Sequence, residues 1–341
     1  MGEGPLSGTL VVSLEQAVAA PLASAKLAEA GARVIKVERR EGDFARGYDR
    51  AAGGVSSYFA WLNQGKESIA LDLKCAQDMG VMRAMLARAD VFIQNLAHGA
   101  AARLGLGAEA LRARHPGLVV CDITGYGPDG PYAEAKAYDL LVQAESGLVS
   151  ISGAPGGYGR VGVSVADIAT GLNAALGVSQ ALLRKARRGE GAHLELSLFA
   201  SMAEWMTVPL LNFEAGRPPG QPGLAHPSIA PYGGFETADG EIVLISVQSD
   251  REWRVLAGEV MGDAALAADP ALATNDARVA ARARVDAAVA AWFAGVPRAE
   301  AMARLAEHRI ASGALNDVAG LAAHPQLRRR AVDHAAGRAS L

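Results

Sequence analysis

Short apolar runs that alternate with helical stretches constrain this chain more than any other feature of its sequence. Gly8 to Leu14 (GTLVVSL) is a β-branched run, residues 20–31 read as an Ala-rich helix, and Ala32 to Glu38 (ARVIKVE) is a second apolar run. Together they spell a strand–helix–strand unit. The pattern recurs at Ser68 to Leu73, Ala89 to Gln94 and Leu118 to Ile123, and a strand-like HLELSLF follows a helical stretch from about Asp167 to Arg187. Adjacent parallel strands need such crossovers, so the alternation predicts an α/β fold with a doubly wound parallel sheet. Half the residues are hydrophobic and only 5% are aromatic, so the core is built from Ala, Val, Leu and Ile, as suits helices packed on a buried sheet. Gly171 and Gly177 lie inside the 167–187 stretch, where the absence of a Cβ lets another backbone come close.

At 341 residues the chain exceeds the size at which one core keeps growing, which predicts two domains. Residues 214–223 (EAGRPPGQPG) are rich in Pro and Gly and read as a linker. The large domain is therefore expected over 1–213 and a small α+β domain over 224–318. Within the latter, GGFETADGEIVLISV reads as a hairpin around Asp239-Gly240, with Ala-rich amphipathic helices between residues 251 and 310.

The 33 basic and 36 acidic residues nearly cancel, leaving no field of one sign to hold a nucleic acid. Cys75 and Cys121 are the only cysteines, which excludes a disulfide framework and a cysteine-based zinc cluster and fits a reducing cytoplasm. No metal site is expected. The N-terminus has no signal-peptide pattern and no later run approaches a membrane span, so a soluble, unprocessed protein is expected. The first βα turn reads Leu14-Glu15-Gln16-Ala17-Val18-Ala19-Ala20-Pro21 and lacks the G-x-G-x-x-G of a dinucleotide site. No P-loop, H-E-x-x-H or G-x-S-x-G is present.

What remains are segments that say little singly. Lys36-Val37-Glu38-Arg39-Arg40 brings three positive charges to the carboxyl edge of a strand, where α/β sheets bind ligands, yet alone it reads as solvated charge. Gln94-Asn95-Leu96 ends another strand, and an amide there ordinarily caps the next helix. Asp167 stands between an apolar run and a helix start. Its commonest job there is N-cap, and local sequence leaves capping and chemistry both open.

Taken in order, these segments resemble the class III CoA-transferases of the CaiB/BaiF type, whose relatives include formyl-CoA transferase, carnitine CoA-transferase and α-methylacyl-CoA racemase. The matching pieces are ARVIKVER from Ala32, Gly42-Asp43, Ser57-Tyr58-Phe59 with Asn63 and Lys66, SIALDLK from Ser68, Ala89-Asp90-Val91 to Asn95, and Arg103-Leu104-Gly105. Thr124-Gly125-Tyr126-Gly127, Gly130-Pro131, Tyr138-Asp139, Gln143-Ala144, Ser146-Gly147, Val165-Ala166-Asp167 and Ala230-Pro231-Tyr232 before Asp239-Gly240 continue the series, which spans nearly the whole chain.

The resemblance implies a Rossmann-like large domain, a small domain and an interlocked homodimer. It implies coenzyme A as substrate rather than a tightly bound cofactor, with acyl-CoA and small carboxylic acids as partners. Positions matching the family's CoA contacts are Arg39, Leu71, Lys74, Asn95, Leu96, Arg103 and Lys136, and basic side chains among them suit the phosphates of CoA. Val18 stands where some transferases have glutamine. Asp167 matches the nucleophile, a carboxylate that forms an anhydride and then an aspartyl-CoA thioester, and its reference pKa of about 3.9 leads one to expect it ionised at neutral pH. Asp139 matches a second carboxylate. Tyr138 stands where a racemase needs histidine, and a phenol of pKa near 10 is poorly matched to α-proton transfer.

The 42–49 and 58–63 stretches look most like relatives that handle C4–C5 dicarboxylic acids: succinate, mesaconate, itaconate and citramalate. Arg46 is then expected to read the distal carboxylate. Family members normally run on past His324-Pro325-Gln326-Leu327 through a segment that returns to the large domain, so residues 319–341 are expected to begin it. The chain ending at Leu341 is then either a natural short form or a truncation. The rival readings are a racemase on the same scaffold, a catalytically silent CoA-binding homologue, and a nicotinamide oxidoreductase suggested only by the sheet.

Overall fold

The computed structural model describes residues 4–329 and the backbone of Ala331–His334 and Gly337–Ser340. Six strands, β1 (Leu10–Leu14), β2 (Arg33–Glu38), β3 (Lys66–Ala70), β4 (Val91–Gln94), β5 (Val119–Thr124) and β6 (His193–Ser197), form one sheet in the order β3-β2-β1-β4-β5-β6. Every pairing in it is parallel, as the alternation with helices requires.

The strand period of two divides the large core. Val11, Val34, Val91, Ile93, Val119, Cys121 and Ile123 face one side, with the Ala19–Glu29 and Val165–Arg188 helices. Val12, Leu14, Val37, Phe92 and Val120 face the other, with the Ala76–Leu86 and Ala108–Arg114 helices. Ala-rich helices can lie close to each other, and at Gly171 they do. A Cβ there would come 2.7 Å from the Ala19 carbonyl oxygen and 2.9 Å from Leu22 Cβ. Gly177 differs from the expectation, because its only near neighbour is the Leu194 side chain at 3.5 Å.

The chain divides into two compact units. One comprises the residues up to Ser150, Arg160–Pro218 and the segment from Arg329; the other comprises Ile151–Gly159 and Pro219–Arg328. The 151–159 loop joins the second unit, where the Gly156 N–H donates to Gln221. Of the 319–341 segment, residues 319–328 group with the second unit, Ala331–His334 pairs antiparallel with Gly337–Ser340, and residues 330, 335, 336 and 341 lie outside those described. The second unit carries an antiparallel sheet of β7 (Tyr232–Glu236), β8 (Ile242–Ser246) and β9 (Ala311–Ala314). Its hairpin turns at Gly240, φ +76°. β9 (ASGA) has no β-branched residue, and nothing in its composition signals a strand. Phe235 stacks on Phe293 within this unit's core, centroids 5.4 Å apart. Among the described residues no helix is long and apolar enough to cross a membrane.

Gly171→Ala is expected to lower stability in urea by about 1–3 kcal/mol, because backbone must yield to the new methyl group. Gly177→Ala in the same helix should be neutral or gain up to about 1 kcal/mol from reduced unfolded-chain freedom. Equal effects at the two positions would contradict the close approach.

Candidate active site

The strand order reverses direction between β1 and β4, and α/β sheets open a crevice at the carboxyl ends of such a pair. Here the crevice is closed by a turn of unusual geometry. β1 leaves through Glu15, Gln16 and Ala17, and Ala17 has φ +63°, a left-handed conformation that costs a residue with a Cβ about 1–2 kcal/mol. Two side chains hold it. Asn95, just past β4, accepts the Gln16 N–H on Oδ1 (3.0 Å) and donates Nδ2 to the Gln16 carbonyl (2.8 Å). Asp43 Oδ1 accepts the Ala17 N–H at 3.2 Å and the Ala45 N–H at 2.9 Å.

Behind the turn lies a cluster of buried charge that the sequence did not reveal. Lys36 is 1% exposed and its Nζ lies 2.7 Å from Asp43 Oδ2 and 3.7 Å from Glu15 Oε1. Lys66 Nζ binds Glu15 Oε1 at 2.7 Å and the Pro21 carbonyl at 2.8 Å. Burial by itself would raise the Glu15 pKa, but Lys66 and Lys36 outweigh it and hold the carboxyl at about 2. Burial likewise pushes the Lys66 ammonium down to about 8 against the pull of Glu15. The charged run at the end of β2 is therefore split. Lys36 and Glu38 point inward while Arg39 and Arg40 are exposed. The signal was a charge alternating with valine and isoleucine inside a parallel strand.

Arg46 is exposed, yet its guanidinium turns back onto this layer. Its Nε and Nη2 bind Glu38 Oε2 and Oε1 at 2.9 and 2.7 Å, and its guanidinium stacks 3.8 Å over the Phe59 ring. Burial would raise Glu38, yet bonds from Arg46, Ser68 and the Asp43 N–H bring it to about 2. The fork expected to meet a substrate carboxylate is thus already occupied by a protein carboxylate.

Asp167 is the third residue of the Val165–Arg188 helix, whose N-cap is Ser164. It caps nothing. The Ala166 N–H of that first turn is taken instead by Asp139 Oδ1 at 2.8 Å, while Asp139 Oδ2 receives Gln143 Nε2 at 2.7 Å and faces Arg160 Nη2 at 3.9 Å. The Asp167 carboxylate accepts no hydrogen bond among the described residues. Burial, with the like charge of Asp139 second, pushes its pKa from 3.8 up to about 7. Removal from water thus opposes the ionisation expected from the reference value, and outweighs the favourable helix terminus.

Asp167 lines a cavity of about 810 Å³ with the Gln16–Ala19 turn, Phe44, Tyr48, Tyr58, Asn95, Lys136, Tyr138, Asp139 and Arg160. Tyr138 is 64% exposed. Gly125, in the turn after β5, lets the 136–138 segment approach, since a Cβ there would overlap Ala137 Cβ. A second cavity of about 470 Å³ is lined by Arg39, Arg40, Leu71, Lys74 and Leu104, and Gln16 and Leu96 line both. Of the positions expected to contact CoA, Arg39, Leu71, Lys74 and Leu96 meet in the second cavity and Asn95, Leu96 and Lys136 in the first. Arg103 lines neither and donates to the His98 carbonyl at 3.3 Å.

Residues 6–337 match the family model described as CoA-transferase family III. Succinate–glutarate CoA-transferase of Agrobacterium fabrum is 36% identical over 336 residues, covering 96% of this chain and 84% of that protein. Acetyl-CoA:oxalate CoA-transferase of Acetobacter aceti is 34% identical over 332 residues, covering 96% and 85%. The crystal structure of a CaiB/BaiF family protein from Brucella suis superposes with a TM-score of 0.82 at 36% identity, over 95% of this chain and 87% of that one.

Between its ordinary value and about 7 the native Asp167 keeps a proton that the unfolded chain has released, so stability falls as pH rises through that window and levels above it. Asp167→Asn removes the cost of the buried charge. It should match the parent near pH 4 and exceed it by up to about 4 kcal/mol at pH 8. A difference independent of pH in urea titrations would contradict this.

Proposed function

The chain belongs to CoA-transferase family III, and on that premise we propose that it exchanges coenzyme A between dicarboxylic acids through covalent chemistry at Asp167. The observation that carries the assignment is a partly buried carboxylate without a hydrogen-bond partner among the described residues, in the wall of a cavity that adjoins a groove carrying Arg39, Arg40 and Lys74. In the groove, Arg39 and Lys74 suit the phosphates of CoA, and Leu71 and Leu96 suit its apolar parts. The pantetheine then passes Leu96 and Gln16 toward Asp167.

Asp167 attacks the thioester carbonyl, the C–S bond breaks, and an aspartyl anhydride forms as CoA thiolate leaves. The thiolate attacks the aspartyl acyl carbon and releases the donor acid as its carboxylate. The acceptor carboxylate then reverses both steps, forming a new anhydride whose acyl group the thiolate removes. A carboxylate suits this because anhydride and thioester stay close in energy, whereas a serine ester would hold its acyl group too firmly. The partner names of the relatives, glutarate and oxalate, are both dicarboxylic acids, which supports that substrate class; the C4–C5 preference rests on succinate and glutarate. With Arg46 held by Glu38, Arg160 and Lys136 are the cations in the cavity positioned for a distal carboxylate. An acyl-CoA substrate fits a cytoplasmic setting.

We also propose a homodimer. Leu172, Leu176 and Leu183 share one face of the Val165–Arg188 helix at 46%, 58% and 52% exposure, and Val208 and Leu211 of the Thr207–Glu214 helix are 66% and 58% exposed. Apolar surface of that extent calls for a partner. Sedimentation at micromolar concentration should give twice the chain mass, and a folded monomer would count against it.

Incubation with succinyl-CoA and then hydroxylamine should modify Asp167 alone, read by peptide mass. Asp167→Ala should bind CoA and lose transfer to glutarate by several orders of magnitude; near-native transfer would falsify the assignment. Acylation should rise with pH through about 7 as Asp167 ionises. Asp139→Asn keeps an oxygen for the Ala166 N–H, removes the like charge, and should move that limb to lower pH.

A further inference from the structure

We propose that Asn95 and Asp43 are positioning residues for transfer: they hold the left-handed Gln16–Ala17 turn against the cavity of Asp167, and the Asn95 side chain does so in place of binding CoA. The inference rests on the assignment of that cavity as the transfer site. Both polar ends of the Asn95 amide are engaged by the backbone of one residue, Gln16, at 3.0 and 2.8 Å. One Nδ2 hydrogen and one Oδ1 lone pair remain, but the orientation of the amide is already set by its two bonds to Gln16.

Asp43 secures the next residue through the Ala17 N–H at 3.2 Å and is itself fixed by buried Lys36 at 2.7 Å. Glu15, at the start of the turn, is fixed by Lys66. The ends of β1 and β4, the loop after β2, and the start of β3 thus converge on a conformation that alanine disfavours. Left-handed backbone at a non-glycine residue persists only where its surroundings over-determine it. Gln16, Ala17 and Val18 line the same cavity as Asp167. The position of this turn therefore sets where a thioester can lie relative to the carboxylate, and small misplacements of reacting groups cost much rate.

The test separates affinity, turnover and backbone geometry. Asn95→Ala should leave the Kd for free CoA within about twofold by calorimetry and lower transfer from succinyl-CoA to glutarate about tenfold or more. Amide hydrogen exchange at residues 16–18 should speed up in the same variant, a readout independent of turnover. Adding Ala17→Gly, which adopts positive φ without strain, should restore transfer at least about threefold. A CoA affinity weakened about tenfold, unchanged exchange at the turn, or no restoration by glycine would each overturn the proposal. If Asn95→Ala does not fold, Asn95→Asp keeps the bond from the Gln16 N–H, loses the one to its carbonyl, and should show the same split. Failure of the nucleophile assignment is read apart, in the hydroxylamine trapping of the parent chain.

Discussion

The fold at the site depends on four charges sealed from water. Glu15, Lys36, Asp43 and Lys66 come from the end of β1, the interior of β2, the loop after it and the start of β3, and each has its opposite within the cluster. Removing any one would strand a buried charge, at a cost of about 3–5 kcal/mol. An apolar cluster of the same volume would supply as much stability. What it would not supply is direction: Asp43 presents one oxygen to Lys36 and the other to the Ala17 N–H, so the ion pairs fix a backbone turn as well as a core.

That turn sits where a parallel sheet offers its crevice, and the two carboxylates across from it divide the work. Asp139 accepts backbone and amide protons, and so anchors the first turn of the Val165–Arg188 helix. Asp167, one position further into that helix than the Ala166 N–H Asp139 captures, has no hydrogen-bond partner among the described residues. Partnered carboxylates nearby, Glu15 and Glu38, are held near 2, whereas Asp167 is pushed up to about 7. Environment separates acids of one type, as it does wherever one must stay a spectator and another react.

The same logic explains where basic side chains serve. Arg46 and Lys36 are spent on protein carboxylates, while Arg39 and Lys74 line the groove without a carboxylate bound to them among the described residues. An arginine in a loop near a site is not thereby a substrate contact; its fork belongs to whichever carboxylate the packing brings to it.

The alternation of apolar runs with helical stretches determined the parallel sheet, because a strand buried on both faces and a crossover helix each leave a periodic mark. The ordered segments from Ala32 to Asp167 likewise determined the family and the residue offered as nucleophile. Tertiary structure alone decided that Asp139 rather than Asp167 caps the helix, that Arg46 answers to Glu38, and that Asn95 clamps Gln16, 79 positions away in the chain. It also placed Asp167 where burial raises its pKa. Burial and charge pairing are properties of what lies alongside a residue in space, and a linear sequence records neighbours of only one kind.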